Sequence, residues 1–308
     1  MISLGIDTSN YATSVSIVDI DGRKILYNKK IFLPVDEGKI GLRQQEALFH
    51  HIKNLDSIFS EDIDLSRVDA IGVSSKPKSD ENSYMPCFLR GKMCAKTVAK
   101  SLDKPVFETS HQTGHLTSAL YYLNNEKLYN RKILMMHVSG GTTDIVLAEN
   151  GEVIKTLGSS LDLFAGQAID RLGVKLGFPF PAGVYVSRLA AKNTEKIKNV
   201  KISVKGFDCN LSGLENICDR LLACGSSKEY VCAYCLEFIS CTLSKMIKNA
   251  QNAYGKLPVV MAGGVMSSEY IKNYFSKFFG DISFVDPVYS RDNAIGVAVY
   301  AARKVING

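Results

Sequence analysis

Two stretches of this chain repeat one pattern, and the repetition limits the folds open to it. Ile2 to Asp7 is a short apolar run ending in the polar loop Thr8-Ser9-Asn10. Thr13 to Val18 alternates and leads to Asp21-Gly22, a hairpin-turn signal, and Lys24 to Leu33 resumes as a third strand. The second copy starts with the apolar run at Ile133 and the small polar loop Ser139-Gly140-Gly141-Thr142-Thr143. Ile145 to Ala148, the turn Asn150-Gly151 and Val153 to Leu157 complete it. Thr13 to Gly22 and Thr142 to Gly151 have the same spacing from loop threonine to turn glycine. A strand–loop–strand–turn–strand unit met twice predicts an α/β fold of two related lobes. At 308 residues the chain is too long for one simple core and suits two.

The polar stretch 124–131 marks the expected boundary. It gives an N-terminal lobe over 1–128, which the last helix, 292–308, is able to join. The C-terminal lobe then covers 129–308, with a helical insertion at about 159–256. Helical periodicity is expected over Arg43 to Ser60, Leu89 to Leu102, Asp162 to Lys175 with an acidic start, Val184 to Asn193, Leu214 to Leu222 and Lys228 to Asn252. Strands are expected at Val68 to Val73, around Val106, over Leu257 to Ala262 and over Ile282 to Val285. Lys196 to Asp208 is basic and partly alternating, and reads as an excursion with short strands.

Within that frame the chemistry concentrates at His111-Gln112-Thr113-Gly114-His115, which holds two of the five histidines. Thr109 or Ser110 can cap a helix starting here. On a helix the four-residue spacing sets both imidazoles on one face, one turn apart, where they can share a metal ion. They can equally be two ordinary polar side chains. Gly114 inside a helix suggests that something approaches the backbone closely. A third ligand must come from elsewhere. Asp292, which otherwise reads as an N-cap of the last helix after Ser290-Arg291, is the natural candidate.

Ser139-Gly140-Gly141-Thr142 is the strongest phosphate-like signal, because two glycines let N–H groups point inward and the hydroxyls can donate. Its counterpart is Thr8-Ser9-Asn10, although a plain Gly-rich hairpin has the same composition. Gly263-Gly264, between an apolar strand and a helix, either admits a flat base or phosphate or merely allows tight packing. Asp170 lies near the face of Asp162 and reads as a solvated or capping carboxylate until other residues bear on it.

The eight cysteines make no disulfide scaffold, and Cys232-Ala-Tyr-Cys235 has no second CxxC, so small buried core residues are expected. No apolar run approaches the roughly 20 residues of a membrane span, and Met1 to Asp7 is no signal peptide. A cytoplasmic chain without membrane contact is therefore expected. A net charge of +6 permits RNA binding without showing it.

Taken in order, several motifs resemble those of the tRNA N6-adenosine threonylcarbamoyltransferases, once called glycoproteases. They are His111-x-x-Gly114-His115, Val138-Ser-Gly-Gly-Thr142, Leu161-Asp162 with Gly166-x-Ala-x-Asp170, Pro181-Ala-Gly183, Leu211-Ser-Gly-Leu214, Gly263-Gly-Val265 and Asp292-Asn-Ala294. The resemblance implies two ribonuclease-H-like lobes of the actin, sugar-kinase and chaperone-ATPase superfamily, with a ligand cleft between them. It implies that His111, His115 and Asp292 hold one divalent metal, Fe2+ or Zn2+. It further implies an adenine nucleotide, threonylcarbamoyl-AMP or ATP. Ser9, Asn10 and the segment His137, Val138, Ser139, Gly140, Gly141 and Thr142 would face its phosphate or acyl part. Asp170, Gly183, Ser187 and Ser268 would lie on the ribose side, and Gly263 and Gly264 would frame the adenine. The implied reaction moves a threonylcarbamoyl group to the tRNA adenosine next to the anticodon. The implied partners are tRNA, a homologous subunit and a small ATPase.

The sequence also departs from that family. The acidic pair of the first loop is Tyr11-Ala12, a Gly-Pro-Gly is Lys76-Pro-Lys78, the usual ribose Asn is Ser268 and a common acidic position is Ser187. Two phenylalanines before Ser-Gly-Leu are Cys209 and Leu211. These changes read as a divergent paralogue. They leave open a nucleotide- and metal-binding pseudoenzyme acting as a regulatory subunit, and another carbamoyl-type transferase of the same fold. There is no HExxH, so the peptidase label has little support.

Overall fold

A computed structural model describes residues 1–9, 11–34, 42–80, 82–286 and 293–308. The chain divides into two compact units. The first is Met1–Asn130 with Asn150–Val153 and Val288–Gly308; the second is Arg131–Glu149 with Ile154–Pro287.

In the first unit, β1 (Ile2–Ser9), β2 (Ala12–Asp19) and β3 (Lys24–Phe32) form an antiparallel meander. The chain continues through α1 (Gln44–Phe59), β4 (Ala70–Lys76), α2 (Phe88–Leu102), β5 (Val106–Ser110), α3 (His111–Leu123) and α4 (Glu126–Tyr129). The sheet order is β3-β2-β1-β4-β5, with β4 parallel to β1 and to β5. Although the sequence of β2 alternates, nearly the whole strand is buried. Its small hydroxyls are satisfied from within: Ser16 donates to Asn28 Oδ1 at 2.7 Å. Hydrogen bonding is what lets polar side chains sit in a buried strand.

The second unit repeats this plan. β6 (Ile133–Val138), β7 (Thr143–Glu149) and β8 (Glu152–Ser159) lead into the helical insertion α5 (Ala165–Lys175), α6 (Gly183–Ala190), β9 (Ser203–Lys205), β10 (Asp208–Asn210), α7 (Gly213–Ala223) and α8 (Lys228–Tyr254). β11 (Val259–Ala262), α9 (Glu269–Phe278) and β12 (Ile282–Phe284) follow. The order β8-β7-β6-β11-β12, with β6 antiparallel to β7 and parallel to β11, mirrors the first sheet strand for strand.

The last helix, α10 (Asn293–Asn307), packs within the first unit and is apolar on nearly every side. Its Gly296 lies against α3. A Cβ there would come 1.9 Å from Gly114 O, and a Cβ on Gly114 would meet Asn293 Oδ1 at 2.3 Å. The close approach expected at Gly114 is thus made by a helix, and two glycines permit it.

Asp162 does not start a helix. α5 begins at Ala165, and Asp162 stands in the loop before it, accepting from the N–H groups of Leu163 (2.6 Å), Leu211 (2.7 Å) and Ser212 (3.2 Å). A carboxylate three residues too early for the helix satisfies loop amides instead. Partial burial pushes its pKa up, but the Ser212 hydroxyl, which donates to Oδ2, and these amides outweigh it and bring the pKa down to about 2. One apolar segment is longer than expected. By length and composition α8 could cross a membrane, but 78% of its most apolar window is buried inside the fold. Cys232 and Cys235 lie there, fully buried and free.

Candidate functional site

α3 starts where β5 ends. Ser110 caps it, accepting from Thr113 N–H at 3.0 Å, so His111 is the first helical residue and His115 sits one turn on. The rings meet edge to face with centroids 4.5 Å apart, and the two Nε2 atoms face each other at 3.1 Å.

Behind His111 lies Asp7 at the end of β1, 1% exposed. His111 Nδ1 is 2.9 Å from its Oδ1. Asn293 Nδ2, at the start of α10, donates to the same oxygen at 2.7 Å and lies equally close to His111 Nδ1. Ser74 Oγ at the end of β4 also donates to it. Desolvation pushes the carboxyl up, but the charge of His111 and the three hydrogen bonds outweigh it and hold Asp7 below the usual carboxylate range. When the ring is neutral, a proton on Nδ1 donated to the ionised Asp7 leaves the Nε2 lone pair facing His115. A carboxylate behind a histidine is the arrangement that fixes the tautomer of a metal ligand.

The residues fit a divalent ion. Two nitrogens bound at about 2.0–2.1 Å, at angles between octahedral and tetrahedral, are separated by roughly 2.9–3.4 Å. The observed 3.1 Å falls within that interval. Among the described residues no group of three His, Cys, Asp or Glu side chains is placed to hold an ion. Asp292, expected as the third ligand, and Asn10 lie outside the described residues.

Sequence reasoning missed Asp7, Ser74 and Asn293. It also missed His51, fully buried on α1, whose Nδ1 is 2.8 Å from Thr13 Oγ1. Burial lowers His51 to about 4, although the Asp7 charge pulls the other way. No local signal in the sequence marks Asp7, because its partner His111 lies 104 residues away.

In the second unit Ser139, Gly140, Gly141 and Thr142 form the β6–β7 turn, closed by Ser139 N–H donating to Thr142 O at 2.8 Å. A Cβ on Gly140 or Gly141 would meet nothing within 4 Å, so the turn is open there. Part of it is already engaged: Ser139 O accepts from Gly166 N–H at 3.1 Å, and Thr143 Oγ1 from Ala165 N–H at 2.9 Å. The turn thereby caps α5. Val138 is buried and His137 half-buried in β6, opposite Thr143 and Asp144 in the ladder. Gly263 has φ +104°, and a Cβ there would strike Val138 O at 2.1 Å, so tight packing requires that glycine. Gly264, beside it, is open.

Asp170 Oδ1 accepts from Ala182 N–H at 2.8 Å, which fixes the corner before Gly183 and α6. Ser187 on α6 and Ser268, the residue just before α9, meet Oγ to Oγ at 2.8 Å. The structure therefore brings together Asp170 with the Gly183 corner, and Ser187 with Ser268. Ser9, in the first unit, directs its hydroxyl at Ala12 O, 3.5 Å away.

The family model described as tRNA N6-adenosine threonylcarbamoyltransferase matches residues 42–299. The chain belongs to that family. A tRNA N6-adenosine threonylcarbamoyltransferase of Neorickettsia sennetsu is 28% identical over 99% of this chain and 94% of its own length. One from Archaeoglobus fulgidus is also 28% identical, over 88% of this chain and 80% of its own. A probable bifunctional tRNA threonylcarbamoyladenosine biosynthesis protein of Thermoplasma acidophilum is 26% identical, and the chain spans 55% of its length. Among solved structures, component A of the (R)-2-hydroxyglutaryl-CoA dehydratase of Acidaminococcus fermentans superposes with a TM-score of 0.59 at 16% identity, over 99% of both chains. A ROK family glucokinase of Streptomyces griseus gives 0.56 at 11% identity, over 98% of this chain and 100% of that one. These likenesses show the fold alone, an α/β fold with two five-stranded mixed sheets.

Proposed function

We propose that this chain transfers the threonylcarbamoyl group of threonylcarbamoyl-AMP to N6 of the tRNA adenosine next to the anticodon. The observation that carries the proposal is the facing Nε2 pair of His111 and His115 with ionised Asp7 behind it. His111 and His115 would hold one divalent ion, Fe2+ or Zn2+, with Asp292 as the third ligand. When bound, the ion would orient the threonyl group and polarise the carbamoyl carbon. Asp7 keeps the His111 proton on Nδ1 and so keeps its Nε2 basic.

N6 attacks the carbamoyl carbon, the new N–C bond forms, the bond to the phosphate oxygen breaks to release AMP, and the proton lost from N6 passes to the leaving phosphate or to solvent. N–H groups of the open Ser139–Thr142 turn would meet the charge on the leaving phosphate. Asp170, Gly183, Ser187 and Ser268 would hold the ribose, and Gly264 would frame the adenine. A cytoplasmic setting, and work alongside a homologous subunit and a small ATPase, belong to the same reading. The bifunctional name of the Thermoplasma relative agrees with a pathway of joined parts.

A second reading rests on Tyr11-Ala12, which replaces the expected acidic pair: a divergent paralogue that binds nucleotide and metal without turnover. One assay separates the two. The purified chain receives threonylcarbamoyl-AMP and unmodified tRNA, and the nucleosides are read by mass spectrometry. Threonylcarbamoyladenosine from the wild type and not from His115→Ala supports transfer. Bound donor without product in either protein supports the second reading.

A further inference from the structure

Nineteen residues, 188–206, carry six basic side chains against one acid, Glu195, in a chain whose whole net charge is +6. Their placement is ordered. Ile197, Val200, Ile202 and Val204 turn inward onto the core of the second unit, while Lys196, Lys198, Lys201 and Lys205 are exposed. Two side chains of α8 pin the segment: Tyr234 Oη donates to Asn199 O at 3.5 Å and Asn249 Nδ2 to Gly206 O. None of these four lysines, nor Lys192 or Arg188, belongs to an ion pair among the described residues. Arg171 and Lys175, by contrast, are matched by Glu215 and Asp219.

The segment leaves the C-terminal end of α6. At the other end of that helix, about 12 Å away for eight residues, Phe178 and Tyr185 stack with centroids 5.2 Å apart and planes 7° off parallel. Phe180, two residues after Phe178 in the chain, is 76% exposed. α6 also carries Gly183 and Ser187, the proposed nucleotide-side residues.

We propose that residues 188–205 form a rigid cationic ridge that reads the phosphate backbone of an RNA hairpin, with Phe180 offered to an unstacked base. The inference rests on the transferase reading and adds the place where the RNA lies. Because the backbone is pinned, lysines set outward at intervals of two to four residues have only their side chains to order on a phosphate. Aromatic faces beside a cationic track suit single-stranded RNA. A lipid surface would want apolar tips, and here the apolar positions turn inward.

The test is fluorescence anisotropy of the full chain with labelled unmodified tRNA and with its isolated anticodon stem-loop, at several salt concentrations. Lys198→Ala/Lys201→Ala/Lys205→Ala should weaken binding of both RNAs roughly ten-fold or more and flatten the log–log salt slope by about 2–3. Phe180→Ala should weaken the stem-loop about five-fold with the slope unchanged. Lys100→Ala/Lys104→Ala, exposed lysines of the other unit, should bind like wild type. A triple variant within two-fold of wild type, with transfer intact, overturns the ridge and spares the transferase reading. A wild type that retains neither RNA overturns both.

Discussion

Asp7 and His111 lie 104 residues apart in sequence, yet Oδ1 of the one stands 2.9 Å from Nδ1 of the other. Strand β1 delivers the acid and the first turn of α3 delivers the ring. The pair sets which histidine nitrogen is left to bind. Asp7→Asn keeps the shape and removes the charge. It is expected to weaken affinity for Zn2+ or Co2+ by 10–100-fold, read by calorimetric titration of the metal-stripped protein. Unchanged affinity would show that Asp7 does not tune the site.

His51 gives the protein a pH dependence. Its folded value is about 4 against an ordinary 6.5, so between those values the unfolded chain binds the extra proton. The stability from keeping His51 neutral is complete above about 6.5 and is lost as pH falls toward 4. It amounts to roughly 3 kcal/mol at most. Urea unfolding at successive pH values should show the decline, and His51→Gln should flatten it. A wild type and variant with parallel profiles would remove His51 as the cause.

The α3–α10 contact predicts a packing defect. Gly296→Ala gains up to about 1 kcal/mol of helix propensity but drives a methyl into Gly114 O and Ser118 N. The clash should dominate, for a net loss of about 1–3 kcal/mol and a fall of several degrees in the melting temperature. Because α10 also carries Asn293, metal affinity should fall with it. A variant as stable as wild type would mean that the helices can separate freely.

Ser187 and Ser268 share one hydrogen bond, so their losses should not add. Ser187→Ala and Ser268→Ala are each expected to weaken AMP binding about three- to ten-fold, with the double variant little worse than either single one. Equilibrium dialysis with AMP measures this. Full additivity would place the two hydroxyls on separate tasks.

The repeated strand unit was legible because hairpin signals at Asp21-Gly22 and Asn150-Gly151 bound runs of matching length. Three of the five strands in each sheet follow from it. The histidine pair was legible because helical spacing is local. Asp7 was not, since nothing near it in sequence distinguishes a buried acid bonded to a distant histidine from the end of an ordinary strand. Gly114 was read correctly as a close approach, but α10 makes that approach, and only tertiary packing reveals it. Asp162 was misplaced because an acid before an apolar period looks like a helix start whether it serves helix or loop amides.

His111 and His115 either face each other across an ion or merely share a proton. Metal analysis of the purified wild type against His115→Ala decides it. About one divalent ion per wild-type chain and background levels in the variant are expected; equal metal content in the two proteins would contradict a metal held between the two rings.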